Sequence, residues 1–190
     1  MNAVRFSWVI LFLGSVGSRS SAAPPAGIER YEVTLPFSTF RAGAARTVVG
    51  APLDEVLSSV TDYAHYSQSI KAFEASKIVS RDGSTTDVYL RVKILKGAAK
   101  IWAVVRFGPP KVDGDSKTVT GHLLKGNVKR LDAVWHLDPA SEGRTRLTLE
   151  LLIVPDLPVP ESLVVPEVRD AAGTAVRGVR DEAERKVSAK

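Results

Sequence analysis

The sequence predicts an α+β domain of order β-α-α-β6-α, in which an antiparallel sheet packs against a long C-terminal helix. Two changes in the spacing of apolar residues indicate this class. Helical spacing that begins near Leu53 gives way to strict alternation from about Ala72, and the alternation continues for about 80 residues. Helical spacing then returns near Val168. Glycine- and proline-containing turns divide the alternating region into six segments, which is typical of an antiparallel meander.

One strand and two short helices are predicted before the meander. The strand is the β-branched segment Arg46–Gly50, and it stops at Pro52, a residue that suits the first turn of a helix. Asp62, a common N-cap residue, begins a second short helix that runs towards Ile70. The apolar residues at helical spacing in the first helix are Leu53, Val56, Leu57 and Val60.

Six strands follow, and in each of them apolar side chains alternate with polar ones. For example, Val88 and Leu90 flank Tyr89 and precede Arg91. Such alternation places one face of the sheet against a core and the other face in water. The predicted strands are Phe73–Ser80, Thr86–Leu95, Lys100–Phe107, Lys117–Leu124, Val128–Leu137 and Arg144–Val154.

A long helix is predicted to cover the apolar face of this sheet. It follows Pro166 and extends from Glu167 to Ala189, with one stripe made almost entirely of alanine and valine. The stripe consists of Val168, Ala172, Ala175, Val176, Val179, Ala183 and Val187.

The N-terminus has the features of a secretory signal peptide over residues 1–22. A basic Met1–Arg5 segment precedes an apolar run of about a dozen residues, which is shorter than the ~20 residues of a membrane-spanning helix. Small residues favour cleavage before Ala23. We therefore expect export to the periplasm or full secretion, with retention of the segment as an anchor as the alternative. Residues 23–43 are interpreted as an N-terminal extension and residues 44–189 as the folded domain.

Composition excludes several classes of function. The 190 residues contain no cysteine, so disulfides, thiol nucleophiles and cysteine-ligated metals are absent. His65, His122 and His136 do not have the spacing of a metal site, and no phosphate-binding or dinucleotide-binding motif is present. We predict no metal, no cofactor and no catalytic residue. Removal of residues 1–22 lowers the formal charge from +5 to +3, which does not indicate a nucleic-acid partner.

Four segments resemble the START and polyketide cyclase superfamily, also called SRPBCC, and within it the polyketide cyclase and coenzyme Q-binding START-like branch. These segments are Ala51–Val56, Val60–Tyr63 with Tyr66, Ala133–Pro139 and Gly143–Glu150. The resemblance implies a helix-grip fold, in which a curved sheet wraps around the C-terminal helix. It also implies a space between sheet and helix for a hydrophobic small molecule, either a lipid, a quinone or a polyketide-like compound. The family includes carriers, receptors and enzymes, so the motifs specify fold better than function.

If such a cavity exists, its wall should come from the inner face of the sheet and from the helix stripe. Tight packing of the small helix residues against the sheet is the alternative. The expected ligand-binding residues are Trp135, Val92, Ile94, Ile101, Ala103, Val105, Leu123, Leu149, Leu151, Val168, Ala172 and Val176.

The residues expected near the mouth of the cavity are of two kinds, polar and apolar. Tyr63, His65 and Tyr66 supply polar groups that a cyclase, aromatase or hydrolase would use, whereas Leu157 and Val159 form a proline-stiffened loop able to touch a membrane surface transiently. The basic hairpin tips Lys96–Lys100 and Lys125–Arg130 would face lipid headgroups in the same contact. After ligand binding and catalysis, the third possible function is a protein-interaction module without a ligand. The oligomeric state is not specified by any of these patterns.

Overall fold

A curved antiparallel sheet surrounds one long helix in the computed structural model, which describes residues 27–94 and 99–189. The sequence-predicted α+β helix-grip class is thereby confirmed. Within the described residues the sheet has nine strands: β1 (Glu29–Val33), β2 (Ala42–Val49), β3 (Phe73–Asp82), β4 (Thr85–Ile94), β5 (Ala99–Phe107), β6 (Lys111–Asp113), β7 (Ser116–Gly126), β8 (Val128–Pro139) and β9 (Thr145–Pro155). The helices are α1 (Leu53–Val60), α2 (Tyr66–Ser69), which follows a 3-10 turn at Tyr63–His65, and α3 (Glu161–Ser188).

The strand order places the first two strands, β1 and β2, beside the last strand, β9. It runs β1-β2-β9-β8-β7-β5-β4-β3, and β6 pairs with the first part of β7 beside β5. Pro109 and Pro110 separate β5 from β6, since proline has no N–H to donate to a ladder. The long-range pairing of β2 with β9 places the N-terminal strands under α3.

Three elements differ from the sequence prediction. Residues 29–33, interpreted as part of an extension, form the edge strand β1; three of its five residues, Glu29, Arg30 and Glu32, are charged, so no apolar run marks a strand there. The short strand β6 was not predicted. Helix α3 begins at Glu161 rather than Glu167, because Pro166 removes only one hydrogen bond, to the Ser162 carbonyl, and does not end the helix. The predicted signal peptide, its cleavage site and part of the Lys96–Lys100 tip lie outside the described residues.

The core lies between the inner face of the sheet and one face of α3. Trp135 on β8 stands directly between Val119 on β7 and Leu149 on β9, and all three side chains are buried. Gly43 on β2 lets the strand approach the backbone of α3 at Arg169, so closely that a Cβ atom would lie 2.3 Å from the Arg169 nitrogen. Sheet and helix therefore meet at backbone contact distance on the β2 side.

A partly buried ion pair connects three strands on the outer face of the sheet. The Arg106 guanidinium on β5 donates two hydrogen bonds to the Asp87 carboxylate on β4, at 2.7 and 2.8 Å, and Ser80 on β3 donates a third at 2.9 Å. These hydrogen bonds, those from Arg106 foremost, lower the pKa of Asp87 from 3.8 to about 2. Since the pKa is lower in the folded state, the ionised carboxylate stabilises the fold above the unfolded pKa, and this contribution is lost as the pH falls towards about 2.

Asp87→Asn is expected to flatten the acid limb of the stability profile. In urea unfolding at a series of pH values, the native protein should lose stability between about pH 4 and pH 2 more steeply than the variant. Asp115→Asn, in an exposed turn, is the matched control and should follow the native profile. Equal slopes for the native protein and Asp87→Asn would contradict the assignment.

Candidate functional site

An apolar cavity of about 90 Å³ lies between the inner face of the sheet and helices α2 and α3. Strands β4, β5, β8 and β9 form one side, and α2, the turn after it and α3 form the other. The wall consists of Tyr66, Ile70, Ala72, Phe73, Leu90, Val92, Ile101, Ala103, Val105, Phe107, Leu131, Ala133, Trp135, Leu149, Leu151, Ile153, Ala171 and Ala175.

The space exists because small side chains face each other across the core. Ala103 on β5 and Ala133 on β8 lie on the inner face of the sheet, and Ala171 and Ala175 lie on the facing side of α3. Curvature of the sheet carries β4 and β5 away from the helix, while β2 remains in backbone contact with it. Alanine side chains are too short to fill the gap that this geometry opens.

Among the wall residues that the structure describes, Tyr66 alone carries a hydroxyl, and that group is already engaged. It donates a hydrogen bond to the Val60 carbonyl at the end of α1. Burial, foremost, raises the pKa of Tyr66 well above its ordinary value, so the phenol stays neutral. The other polar side-chain atom among the wall residues is the indole nitrogen of Trp135, which does not titrate. A molecule in this cavity would therefore meet hydrocarbon on nearly every side.

Most of the sheet residues that the sequence predicted for the site meet in this wall. They are Trp135, Val92, Ile101, Ala103, Val105, Leu149 and Leu151. Leu123 packs against the core without lining the cavity. Ile94 is in β4, but its side chain lies outside the part of the chain that the structure describes.

The helix contributes different residues from those predicted. Val168, Ala172 and Val176 are buried, but they do not line the cavity, and Ala171 and Ala175 take their place. The reason is that the cavity lies to one side of the apolar stripe of α3 and not opposite its centre. Helix α3 packs chiefly on β2 and β9, where the Val168 backbone meets Gly43, so the centre of its apolar stripe faces solid core. The neighbouring residues face the strands that curve away.

The residues predicted near the mouth are spread over separate parts of the molecule. Tyr66 lines the cavity, whereas Tyr63 is buried beside Phe107 with ring centroids 4.3 Å apart, and burial raises its pKa. Leu157 is 71% exposed and Val159 is half-buried, and neither lines the cavity.

His65 faces a second, polar cleft of about 280 Å³ between α1, α2 and the end of α3. Its Nδ1 atom lies 2.6 Å from an Asp62 carboxylate oxygen. Lys186 and Arg185 on α3 pair with Asp62 and Glu182 respectively, so the charges of the cleft largely balance one another. This cleft is distinct from the apolar cavity.

Several wall residues escaped prediction although the alternation contained them. Leu90 and Phe107 share a strand face with Val92 and Val105, and Leu131 and Ile153 extend the same pattern on β8 and β9. A stricter use of period two would have included all four. Ala133 on β8 belongs to the same pattern as Leu131. Three further wall residues lie in the turn after α2 and at the first position of β3, where no periodicity marks the direction of a side chain; they are Ile70, Ala72 and Phe73.

Two absences apply to residues 27–94 and 99–189. No cluster of three or more histidine, aspartate or glutamate side chains is arranged to hold a metal ion. No helix in this part of the chain has the length and hydropathy to cross a membrane.

Comparison with protein families identifies one match over most of the chain. Residues 49–180 match the family model described as "Polyketide cyclase / dehydrase and lipid transport". The matched range begins at the end of β2 and ends within α3, so it contains every wall residue of the cavity. A search of curated proteins gave no match.

Solved structures with the same fold include lipid-transfer proteins and a cyclase. The chain is similar to a STAR-related lipid transfer protein from Xanthomonas axonopodis, with TM-score 0.71, 19% identity, and coverage of 85% of this chain and 96% of that one. It is similar to the human StAR-related lipid transfer protein 5, with TM-score 0.71, 10% identity, and coverage of 89% and 90%. It is also similar to the Zhui aromatase/cyclase from a Streptomyces species, with TM-score 0.64, 17% identity, and coverage of 85% and 96%.

Proposed function

The chain belongs to the polyketide cyclase / dehydrase and lipid transport family, and from this premise we propose that it binds one hydrophobic small molecule between the sheet and α3. The proposed ligand is a lipid, a quinone or a polyketide-like compound. The observation that carries the proposal is the composition of the cavity wall: in its described residues the single hydroxyl, that of Tyr66, donates a hydrogen bond to the Val60 carbonyl. Such a wall selects a ligand by shape and apolar area rather than by hydrogen bonds.

The volume of the cavity sets a condition on binding. A dry apolar cavity of about 150 Å³ accommodates benzene, and drug-sized ligands occupy about 300–1,000 Å³. The 90 Å³ present here therefore has to expand before a lipid fits. The turn between α2 and β3 is the part of the wall without regular secondary structure, so we expect it to move first.

An enzymatic role is the second candidate, since one structural neighbour is named an aromatase/cyclase. General acid–base catalysis needs a titratable group within hydrogen-bond reach of the bound molecule. Tyr66 is engaged by Val60, Tyr63 does not line the cavity, and His65 faces the polar cleft. These positions favour a carrier or sensor over an enzyme.

The site of action belongs to the same proposal. A cleavable signal peptide over residues 1–22 would deliver the domain to the periplasm or the medium, where it would carry its ligand and exchange it during transient contact with a membrane surface. N-terminal sequencing of the protein from the extracytoplasmic and membrane fractions of its own host tests export. A chain that begins at Ala23 in the extracytoplasmic fraction would support cleavage, and a membrane-bound chain that still begins at Met1 would argue for an anchor.

Filling the cavity is expected to remove the ligand without unfolding the protein. Ala175→Leu adds three carbon atoms to the α3 side of the wall. We expect at least a tenfold loss of bound ligand, with a change in unfolding free energy of about 1–3 kcal/mol from overpacking. Native mass spectrometry of the mature chain, followed by lipid extraction, measures the occupancy.

Thr174→Leu makes the matched control for this experiment. Thr174 is the preceding residue on α3 and does not line the cavity. The control should keep its adduct. A protein that carries no adduct, and that shows no thermal shift with phosphatidylcholine, a ubiquinone or an aromatic polyketide, would favour the interaction-module alternative.

A further inference from the structure

Basic side chains cover one part of the outer face of the sheet in three consecutive cross-strand rows. The first row places Lys77 beside Tyr89, and Tyr89 beside Val104, which in turn pairs with Lys125. The second places Arg91 beside Trp102, and the third places Lys93 beside Lys100. We call this surface the basic-aromatic patch; it consists of Lys77, Arg91, Lys93, Lys100 and Lys125 around Tyr89 and Trp102.

The positive charges of the patch lie so close together that they destabilise the folded sheet. Lys93 and Lys100 are directly opposite on neighbouring strands, an arrangement that destabilises a sheet. One carboxylate offsets this repulsion: Glu74 lies 3.2 Å from each of Arg91, Lys93 and Lys100. Burial raises the pKa of Glu74, but hydrogen bonds from Lys100 and Lys93 outweigh that effect, so its pKa lies below the ordinary value. Five basic residues against one acidic residue leave the patch strongly positive.

Two aromatic rings lie in the middle of the charges. Tyr89 and Trp102 stack with centroids 6.5 Å apart and planes inclined by 28°, and both are half-buried. Leu124, at the bulge in β7 next to Lys125, adds an exposed apolar side chain. Tryptophan and tyrosine prefer the boundary between lipid headgroups and acyl chains, and lysine and arginine prefer anionic headgroups.

We infer that the basic-aromatic patch docks the protein on an anionic lipid bilayer. A membrane fits this surface better than a nucleic acid does, because the exposed side chains combine charge with the aliphatic side chain of Leu124. A nucleic acid in water offers no partner for that aliphatic group. The strands that carry the patch also form the cavity: Val92 and Ile101 point inward from the same β4–β5 pair that presents Lys93 and Lys100 outward. Docking therefore places the cavity wall beside the bilayer.

This inference deepens the proposed function, because it names the surface that contacts the membrane. It rests on the proposed function only for the reason why the protein would dock on a membrane. Its test uses the mature chain and two vesicle compositions, pure phosphatidylcholine and phosphatidylcholine with about 30% phosphatidylglycerol. We expect co-sedimentation with the anionic vesicles only, decreasing as ionic strength rises. Lys93→Gln combined with Lys100→Gln should weaken binding about 25-fold, since each lysine near an anionic surface contributes about fivefold.

Arg81→Gln combined with Lys111→Gln is the control of equal net charge. Both residues are exposed, Arg81 near the β3–β4 hairpin and Lys111 on β6, outside the patch. This control should bind anionic vesicles as the native protein does. An equal loss of vesicle binding in both double variants would mean that binding depends on net charge alone, and it would overturn the assignment of the patch.

Tryptophan quenching by brominated lipids tests the orientation. Trp102 should be quenched on anionic vesicles, and Trp102→Phe should abolish the quenching because Trp135 is only 3% exposed. Absence of quenching, or tighter binding to a single-stranded oligonucleotide than to the vesicles, would overturn the inference. Occupancy of the cavity, measured in the same variants by native mass spectrometry, should not change, so failure of docking and failure of ligand binding are distinguishable.

Discussion

Trp135→Ala is expected to lower the free energy of unfolding by about 3–5 kcal/mol. The indole is buried, it lies between Val119 and Leu149 in the cross-strand row, and it forms part of the cavity wall. Its removal both loses apolar burial and enlarges a space that is already unfilled, so the surrounding side chains can collapse only in part. Urea unfolding followed by far-ultraviolet circular dichroism measures the loss.

Trp102→Ala provides the control with the same change of side chain. Trp102 is on β5, on the outer face, half-buried and stacked on Tyr89. Because water reaches this side, no enclosed cavity forms, and we expect less than about 2 kcal/mol. Equal losses at the two positions would mean that Trp135 does not occupy the centre of the core.

The parts of the fold that were predictable from sequence are those in which one physical pattern dominates. Alternation of Val88, Leu90 and Val92 with polar and charged neighbours predicts that they share one face of the sheet. Val88 and Leu90 are buried there, and Val92 lines the cavity. The helix-grip class and the family follow from such segments together with the motif at Ala133–Pro139.

Other parts depended on contacts that no local pattern contains. Residues 29–33 form a strand because β2 presents a free edge to them, not because of their own composition. Pro166 disfavours a helix in the residues before it, yet α3 includes them. Only one backbone hydrogen bond is lost at Pro166, and tertiary contacts of this first part of α3 favour the helix: the Glu161 carboxylate accepts hydrogen bonds from the backbone N–H and the side chain of Arg41. Both cases are decided by tertiary structure.

The cavity wall also has a part that was predictable from sequence and a part that was not. The sheet side of its wall was predictable, because strand faces are fixed by period two. The helix side was not, because Ala171 and Ala172 differ by one residue and the choice between them depends on where the sheet curves away. Strand β2, in contrast, closely approaches α3 at Gly43.

Gly43→Ala is expected to have the other large effect, a loss of more than about 3 kcal/mol in unfolding free energy. The new Cβ would lie 2.3 Å from the Arg169 nitrogen, 2.5 Å from its Cα and 2.6 Å from the Val168 carbonyl carbon. All three are backbone atoms of α3, so no side-chain rotation relieves the overlap. Either β2 separates from β9 or α3 moves outward as a whole.

Gly108→Ala is the matched control, since its Cβ would meet only the Thr120 hydroxyl at 3.7 Å, an ordinary contact. We expect a change below about 1 kcal/mol there, and the same urea midpoint for Gly43→Ala and Gly108→Ala would contradict the assigned strand-to-helix contact. The two variants also separate stability from cavity size. If Gly43→Ala still folds, an outward shift of α3 should widen the space next to Ala175 and increase the largest ligand that the protein retains. The glycine would then set the size of the cavity, although it lies outside the wall.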